Sequence, residues 1–142
     1  LYRNKLPGYA GGGKNFVHSK DVAVATVNAL KMGREGQCYI VGNENLYFGE
    51  MFRKAATVFN QPFRVKQFPR LAINLVGAIN SIIARIFKKT PPLSYSMAKM
   101  ASVRQFYSPQ KARTELLLPS TPVEEAVADC INWYKANGYL PK

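Results

Sequence analysis

Lys14 closes the stretch GYAGGGKN, in which Gly8 and Gly13 stand at the spacing of a phosphate-binding loop, G-x-x-x-x-G-K-[ST]. In such a loop the backbone N–H groups of a helix N-terminus cradle phosphates, and the Ser/Thr hydroxyl holds magnesium. Asn15 sits in the Ser/Thr position, and the NFVHS that begins there reads as a strand rather than a helix start. The mechanics of the loop are therefore missing, and Lys14 is left as a single cation beside a glycine run. A second stretch, YSMAK, sets Tyr95 and Lys99 at the Y-x-x-x-K spacing in which a lysine lowers a tyrosine pKa for proton transfer. That chemistry needs a G-x-x-G-x-x-G dinucleotide turn well upstream, and none precedes it. With 8 tyrosines in the chain, chance supplies the spacing. Cys38, Cys130 and the one histidine, His18, are too few for a metal centre or a disulfide framework. Two buried thiols in a reducing, cytoplasmic compartment are expected, and no catalytic or metal-binding residue is assigned.

The elements that must position these residues follow from periodicity and punctuation. Gly and turn residues over 1–14 make a loop, and 15–19 a short strand. Asp21 is placed to cap a helix through Val22, Val24, Val27 and Leu30, stopped by Gly33 and Gly36. QCYIVG (37–42) is a short apolar strand, followed by a helix from about Tyr47 to Phe59. FRVKQFP alternates and is expected as a strand ended by Pro69. LAINLVGAINSIIARIF (71–87) is a helix with Asn74, Ser81, Arg85 and Lys88 along one narrow polar stripe, and TPP breaks the chain after it. A helix over 94–103, a short strand at QFYS, a helix capped by Ser108 with Pro109 at its first position, and a last helix opening on Ser120 or Thr121, Pro122, Glu124 and Glu125 complete the chain. Gly138 ends the last helix. The class is α/β and helix-rich.

The 142 residues suit one domain or a large piece of one. Leu1 is not a methionine, which suggests a fragment or a processed product, and no charged-then-apolar leader is seen. The net charge is +12, and its distribution says more than its size. Residues 51–113 hold twelve Lys/Arg and no Asp or Glu, so the whole excess sits there. That asymmetry suggests an anionic partner. The cations are spread singly along helices and strands, which argues against nucleic acid. The 71–87 helix is expected either to be buried against the domain or to form a lid over an apolar substrate. Its basic flanks support a rival reading as an interfacial helix on an anionic membrane.

Two long pieces carry a family resemblance. GGGKNFVHSKDVAVATVNALKMGREGQCYIVGNENLYFGEMF resembles the pattern of a glycine pair, FVHVxDVA, a helix, G..Y.VGG.N and a helix with an early Glu. YSPQKARTELLLPSTPVEEAVADCINWYKANGYL is similar to f..sKA..eLGf.P followed by an amphipathic helix and GY. Both belong to the second half of extended short-chain dehydrogenases/reductases, the NAD-dependent epimerase/dehydratase superfamily, on its dihydroflavonol-reductase and 3β-hydroxysteroid-dehydrogenase side. The resemblance runs from Leu6 to Leu140. Ser19, Tyr47, Leu117 and Leu118 depart from it, the last pair standing where the family has Leu-Gly.

The resemblance implies the helix-rich C-terminal portion of a Rossmann-like fold, with the N-terminal nucleotide-binding half absent and 37–42 as the last strand of its sheet. NAD or NADP would be bound mainly by that missing half, with none expected for this chain alone. In sugar-nucleotide epimerases of the family an Arg matching Lys14 contacts substrate phosphate; Lys14 keeps the charge and loses the bidentate fork. Gly13, Lys14, Asn15 and Arg104 are the candidate substrate-binding residues. The implied function is the substrate-binding part of an oxidoreductase or epimerase/dehydratase acting on a hydroxyl or carbonyl, silent by itself. Its partners would be a small, anionic substrate and the nucleotide-binding half. Exposed strand edges would favour self-association. The rivals are the membrane-surface module and a non-catalytic dinucleotide sensor of the same fold.

Overall fold

The computed structural model describes residues 8–91 and 93–140. The start of the expected loop, up to Pro7, and the second proline of TPP lie outside those residues. Along the described chain run β1 (Gly13–Phe16), α1 (Ser19–Met32), β2 (Glu44–Tyr47), α2 (Phe48–Val58), α3 (Arg70–Ile86), α4 (Tyr95–Ala101), β3 (Arg104–Gln105), α5 (Gln110–Leu116) and α6 (Val123–Ala136). The strands form one sheet in the order β2-β1-β3. β1 is central. It pairs antiparallel with β2, Gly13 opposite Tyr47, and parallel with β3, Gly13 opposite Arg104. Helices pack in pairs around it: α1 with α5, α2 with α6, α3 with α4.

The core is small. Ala25 of α1 meets Ala112 and Leu116 of α5 and Leu118 just beyond, with Ala29, Tyr39 and Val41 against them. Polar ties supplement it. Asp21 is buried and accepts hydrogen bonds from the Thr121 backbone N–H (2.9 Å) and hydroxyl (2.7 Å). Lys54 of α2 bridges Glu44 (3.0 Å) and Glu124 (2.7 Å), joining β2 to α6. The other Glu44 oxygen accepts from Val123 N–H (2.8 Å) and caps α6, a role the proline before it cannot perform. Arg34 and the Tyr39 hydroxyl both hold Glu115, the hydroxyl at 2.7 Å.

Several expectations are corrected here. Asp21 does not cap α1. His18 does, accepting from the Lys20 N–H at 3.0 Å, which ends β1 at Phe16 and starts the helix at Ser19. Gln37–Gly42, expected to join a sheet whose other strands lie in the nucleotide-binding half, makes no ladder among the described residues; the described strand begins two residues later, at Glu44. The strand expected over 63–68 shrinks to a single parallel bridge between Tyr9 and Gln67. Both cysteines are exposed, not buried, because no described element packs over them.

α3 departs most. Most of its large apolar residues do not face the domain; Ile73 and Val76 do border Tyr9 and Phe68. The helix instead turns Asn74, Gly77, Ser81 and Ala84 toward α4, with Gly77 and Ala84 buried. Ser81 donates to the Gly77 carbonyl (2.8 Å) and accepts from the Tyr95 N–H (2.9 Å), so the polar stripe supplies a seam that caps α4. Leu71, Leu75, Ile79, Ile82 and Ile86 are left exposed. Small residues let the two backbones approach closely, and that geometry decides which side of the helix faces inward.

Candidate functional site

The glycine run is held where backbones nearly touch. A Cβ on Gly12 would lie 2.3 Å from the Ala101 carbonyl oxygen and 2.7 Å from that of Val103. A Cβ on Gly13 would lie 2.7 Å from the Leu46 carbonyl oxygen and 2.7 Å from the Phe106 ring. Gly12 and Gly13 are therefore bare because the end of α4 and the two flanking strands close on them. The chain then enters β1, not a helix, so no N-terminal amides are aimed at a phosphate.

Successive strand residues point to opposite sides, so the predicted site residues divide. Gly13, Tyr47 and Arg104 share one face. There Arg104 donates to the Tyr47 hydroxyl at 3.2 Å and stands 5.9 Å from its ring centre, while Phe106 meets Tyr47 edge-on at 5.4 Å. Lys14 pairs with Leu46 and Gln105 and points the other way. It lines a depression of about 390 Å³ with Asn15, Ile40, Val41, Gln105 and Tyr107. Lys14 is exposed and in no ion pair among the described residues. Asn15 is committed to the fold: it donates to Asn45 Oδ1 (2.8 Å) and the Tyr107 carbonyl (3.4 Å) and accepts from the Asn43 N–H (2.9 Å). The structure thus brings Gly13 and Arg104 together, and sets Lys14 on the opposite face of the same strand.

On the N-terminal side of the glycine run lie two adjoining hollows that share Tyr9 and Ala10. One, of about 480 Å³, is apolar and lined by Gly8, Phe68, Ala72, Ile73, Val76, Leu93 and Ala101. The other, of about 320 Å³, is mixed and lined by Gly11, Gly12, Tyr47, Gly49, Glu50, Arg53 and Gln67. Tyr9 forms the wall between them. Its backbone is bonded to Lys66 and Phe68 at 3.1 and 2.9 Å, and its ring packs on Phe52 and Phe63. The pairing of the glycine loop with 66–68 is nonlocal, so sequence periodicity did not reveal Tyr9, Phe68, Ile73 or Val76 as one surface. The arrangement can take an apolar body beside a polar end.

A fourth concavity, of about 590 Å³, lies between the start of α1 and α6, among Val17, His18, Lys20, Asp129, Cys130 and Trp133. The ammonium of Lys20, and less so His18, holds the Asp129 carboxyl below the usual carboxylate range. His18 Nε2 is 3.3 Å from that carboxylate without making a well-aligned hydrogen bond. Tyr95 and Lys99 lie on α4 with no hydrogen bond between them among the described residues. No group of three or more His, Cys, Asp or Glu among the described residues could hold a metal ion.

No family model matches the chain. A protein of Synechocystis sp. provisionally named dihydroflavonol 4-reductase is 26% identical over 143 residues, covering 97% of this chain and 41% of its own length. Sterol demethylase protein B of Methylococcus capsulatus is 23% identical over 138 residues, covering 96% of this chain and 42% of its own. The chain thus spans about two fifths of the length of these curated relatives. Among solved structures, gox2253 superposes with a TM-score of 0.78 at 29% identity, over 98% of this chain and 42% of that one. A nucleoside-diphosphate-sugar epimerase from Pseudomonas aeruginosa shares the fold with a TM-score of 0.70 at 23% identity, over 99% of this chain and 41% of that one. In sequence the chain is similar to part of these two curated relatives, and in fold to part of the two solved structures.

Proposed function

We propose that this chain is the substrate-binding part of an NAD(P)-dependent oxidoreductase or epimerase/dehydratase, whose intact form moves a hydride between nicotinamide and a hydroxyl or carbonyl carbon. The observation that carries this reading is the pair of adjoining hollows beside the glycine run, within a fold shared with reductase- and epimerase-like proteins. The apolar hollow would take the body of the substrate. Tyr47, Glu50, Arg53 and Gln67 offer donors and acceptors for its polar end. Arg104, beside Tyr47, would add a cation for an anionic substituent, while Lys14, on the other face of β1, would serve only a group seated in its own depression.

The glycine run does not fit a dinucleotide cradle, since it leads into a strand. Cofactor contacts would then fall to a nucleotide-binding part of the intact protein. Ala72 is exposed and lines the apolar hollow, so Ala72→Phe would fill it without disturbing a buried position. In steady-state assays of the intact protein following NAD(P)H absorbance, Ala72→Phe is expected to raise KM about tenfold or more with kcat nearly unchanged, the signature of lost uniform binding. The isolated chain is expected to give no saturable NAD(P)H fluorescence change. Unchanged KM in the variant, or micromolar NAD(P)H binding by the chain alone, would remove this division of labour.

A further inference from the structure

α3 is inside out relative to its sequence. At about 100° per residue, Leu71, Ile82, Leu75, Ile86, Ile79, Ile83, Val76 and then Phe87 just past its end fall within roughly 160° of its circumference. All are exposed, from 47% for Ile79 and Ile83 to 82% for Leu71. A stripe this wide on a surface helix normally faces a core. Here the inward side is already taken by the Gly77–Ser81 seam with α4, so apart from Val76, at the edge toward the apolar hollow, the aliphatic face has no partner among the described residues.

Cations frame the face. Arg70 stands at the start of the helix and Arg85, Lys88 and Lys89 at its end, all exposed and in no ion pair among the described residues. No acidic residue occurs anywhere in 51–113. The helix terminus itself keeps a charge at some cost. Lys88 takes the left-handed conformation (φ 50°) where glycine would be unstrained, while Lys89 N–H closes on the Ala84 carbonyl at 2.9 Å.

We propose that α3 docks this protein in the plane of an anionic lipid leaflet, its aliphatic face entering the acyl boundary and its arginines and lysines meeting lipid phosphates. Long basic side chains at the rim can lay their stems along the apolar surface and keep their heads at the headgroups. At 17 residues α3 is about 25 Å long, and no described helix is long and apolar enough to cross a membrane, so the contact is peripheral. A second copy is the poorer occupant. A two-fold contact would press two cation-rimmed faces together with no carboxylate between them. This inference does not rest on the proposed catalytic role, although Ala72 and Val76 of the same helix also line the apolar hollow.

The test is co-sedimentation with vesicles of phosphatidylcholine alone and of phosphatidylcholine with phosphatidylserine. Variants are Ile82→Ser with Ile86→Ser, Lys88→Glu with Lys89→Glu, and, as a charge-matched control far in sequence, Lys31→Glu with Lys135→Glu. All altered side chains but Lys135 are exposed, and thermal melts check that each variant folds. Binding is expected only with phosphatidylserine and should weaken as salt rises. It should fall about tenfold or more in both α3 variants, as expected when apolar insertion or two basic contacts are lost, and persist in the control. No binding, equal binding to neutral vesicles, or equal loss in the control would overturn the proposal. So would a dimer in sedimentation velocity that Ile82→Ser with Ile86→Ser dissolves while lipid binding stays absent.

Discussion

Leu117 ends α5 in the left-handed conformation, φ 50°, with its side chain 63% exposed. A branched L-residue pays about 1–2 kcal/mol for that conformation, and glycine does not. Leu117→Gly removes little packing, and part of the gain is offset by glycine's greater freedom when unfolded. The variant is expected to be more stable by about 0.5–1 kcal/mol, seen as a higher Tm in differential scanning calorimetry. Gly13 is the opposite case. Its α-hydrogen faces a backbone carbonyl that cannot swing aside, so Gly13→Ala should cost about 1–3 kcal/mol by overpacking, read in a urea melt. Single residues were only partly legible. The sequence marks Asp21 as a capping type, but a carboxylate next to a helix start can equally serve a distant donor, and Thr121 is a hundred positions away. The chemistry of the side chain is local while its partner is not.

Among the elements, helices were well foreseen, because a helix satisfies its own backbone. α1, α3, α5 and α6 begin and end within a few residues of their punctuation. Strands were poorly foreseen for the converse reason: a strand exists only through a neighbour. QCYIVG has the composition of a strand and no partner among the described residues, whereas ENLY, mostly polar, becomes β2 by lying beside β1. Periodicity likewise told which side of α3 is apolar and not which side is covered. Its seam gives a direct check. A Cβ on Gly77 would stand 2.7 Å from that of Ala98 and 3.1 Å from the Ser94 carbonyl oxygen. Gly77→Ala in an isolated helix would stabilise by about 1 kcal/mol. Here the crowding should outweigh that gain and lower the Tm by several degrees, and Gly77→Leu should part α4 from α3, seen as new amide exchange over 95–101.

For the whole molecule, ionic ties between distant segments supplement the core, each modestly because water reaches it. The Tyr39 hydroxyl and then Arg34 hold the Glu115 carboxyl low, Lys54 does so for Glu124, and Lys20 for Asp129. A carboxyl whose native pKa is depressed contributes stability above its unfolded value and loses it as pH falls through the native one. The Tm is therefore expected to be flat from neutrality down to the ordinary carboxylate range and to drop below it. Glu124→Gln, which keeps the shape and removes the charge, should lower the neutral-pH Tm slightly and flatten that acid slope. A steeper slope in Glu124→Gln would contradict the assignment. The candidate site was legible as a place, the glycine run, but its walls come from segments near Tyr9, Phe68 and Val76 whose meeting is set by tertiary pairing.

The placement of β1 at the centre of the sheet has a consequence for the order of events in synthesis. β1 is made before both of its sheet neighbours, its parallel neighbour begins only at Arg104, and the Asp21 latch waits for Thr121. Loop-closure entropy must be met before those distant contacts return anything. Until Arg104 is made the sheet holds only the β1–β2 pairing, while the α3–α4 seam, local in the chain, can already form and leaves the aliphatic side of α3 uncovered. The nascent chain thus passes through a long interval with its most apolar helix made and its sheet unfinished, the interval in which a chaperone would have most to hold.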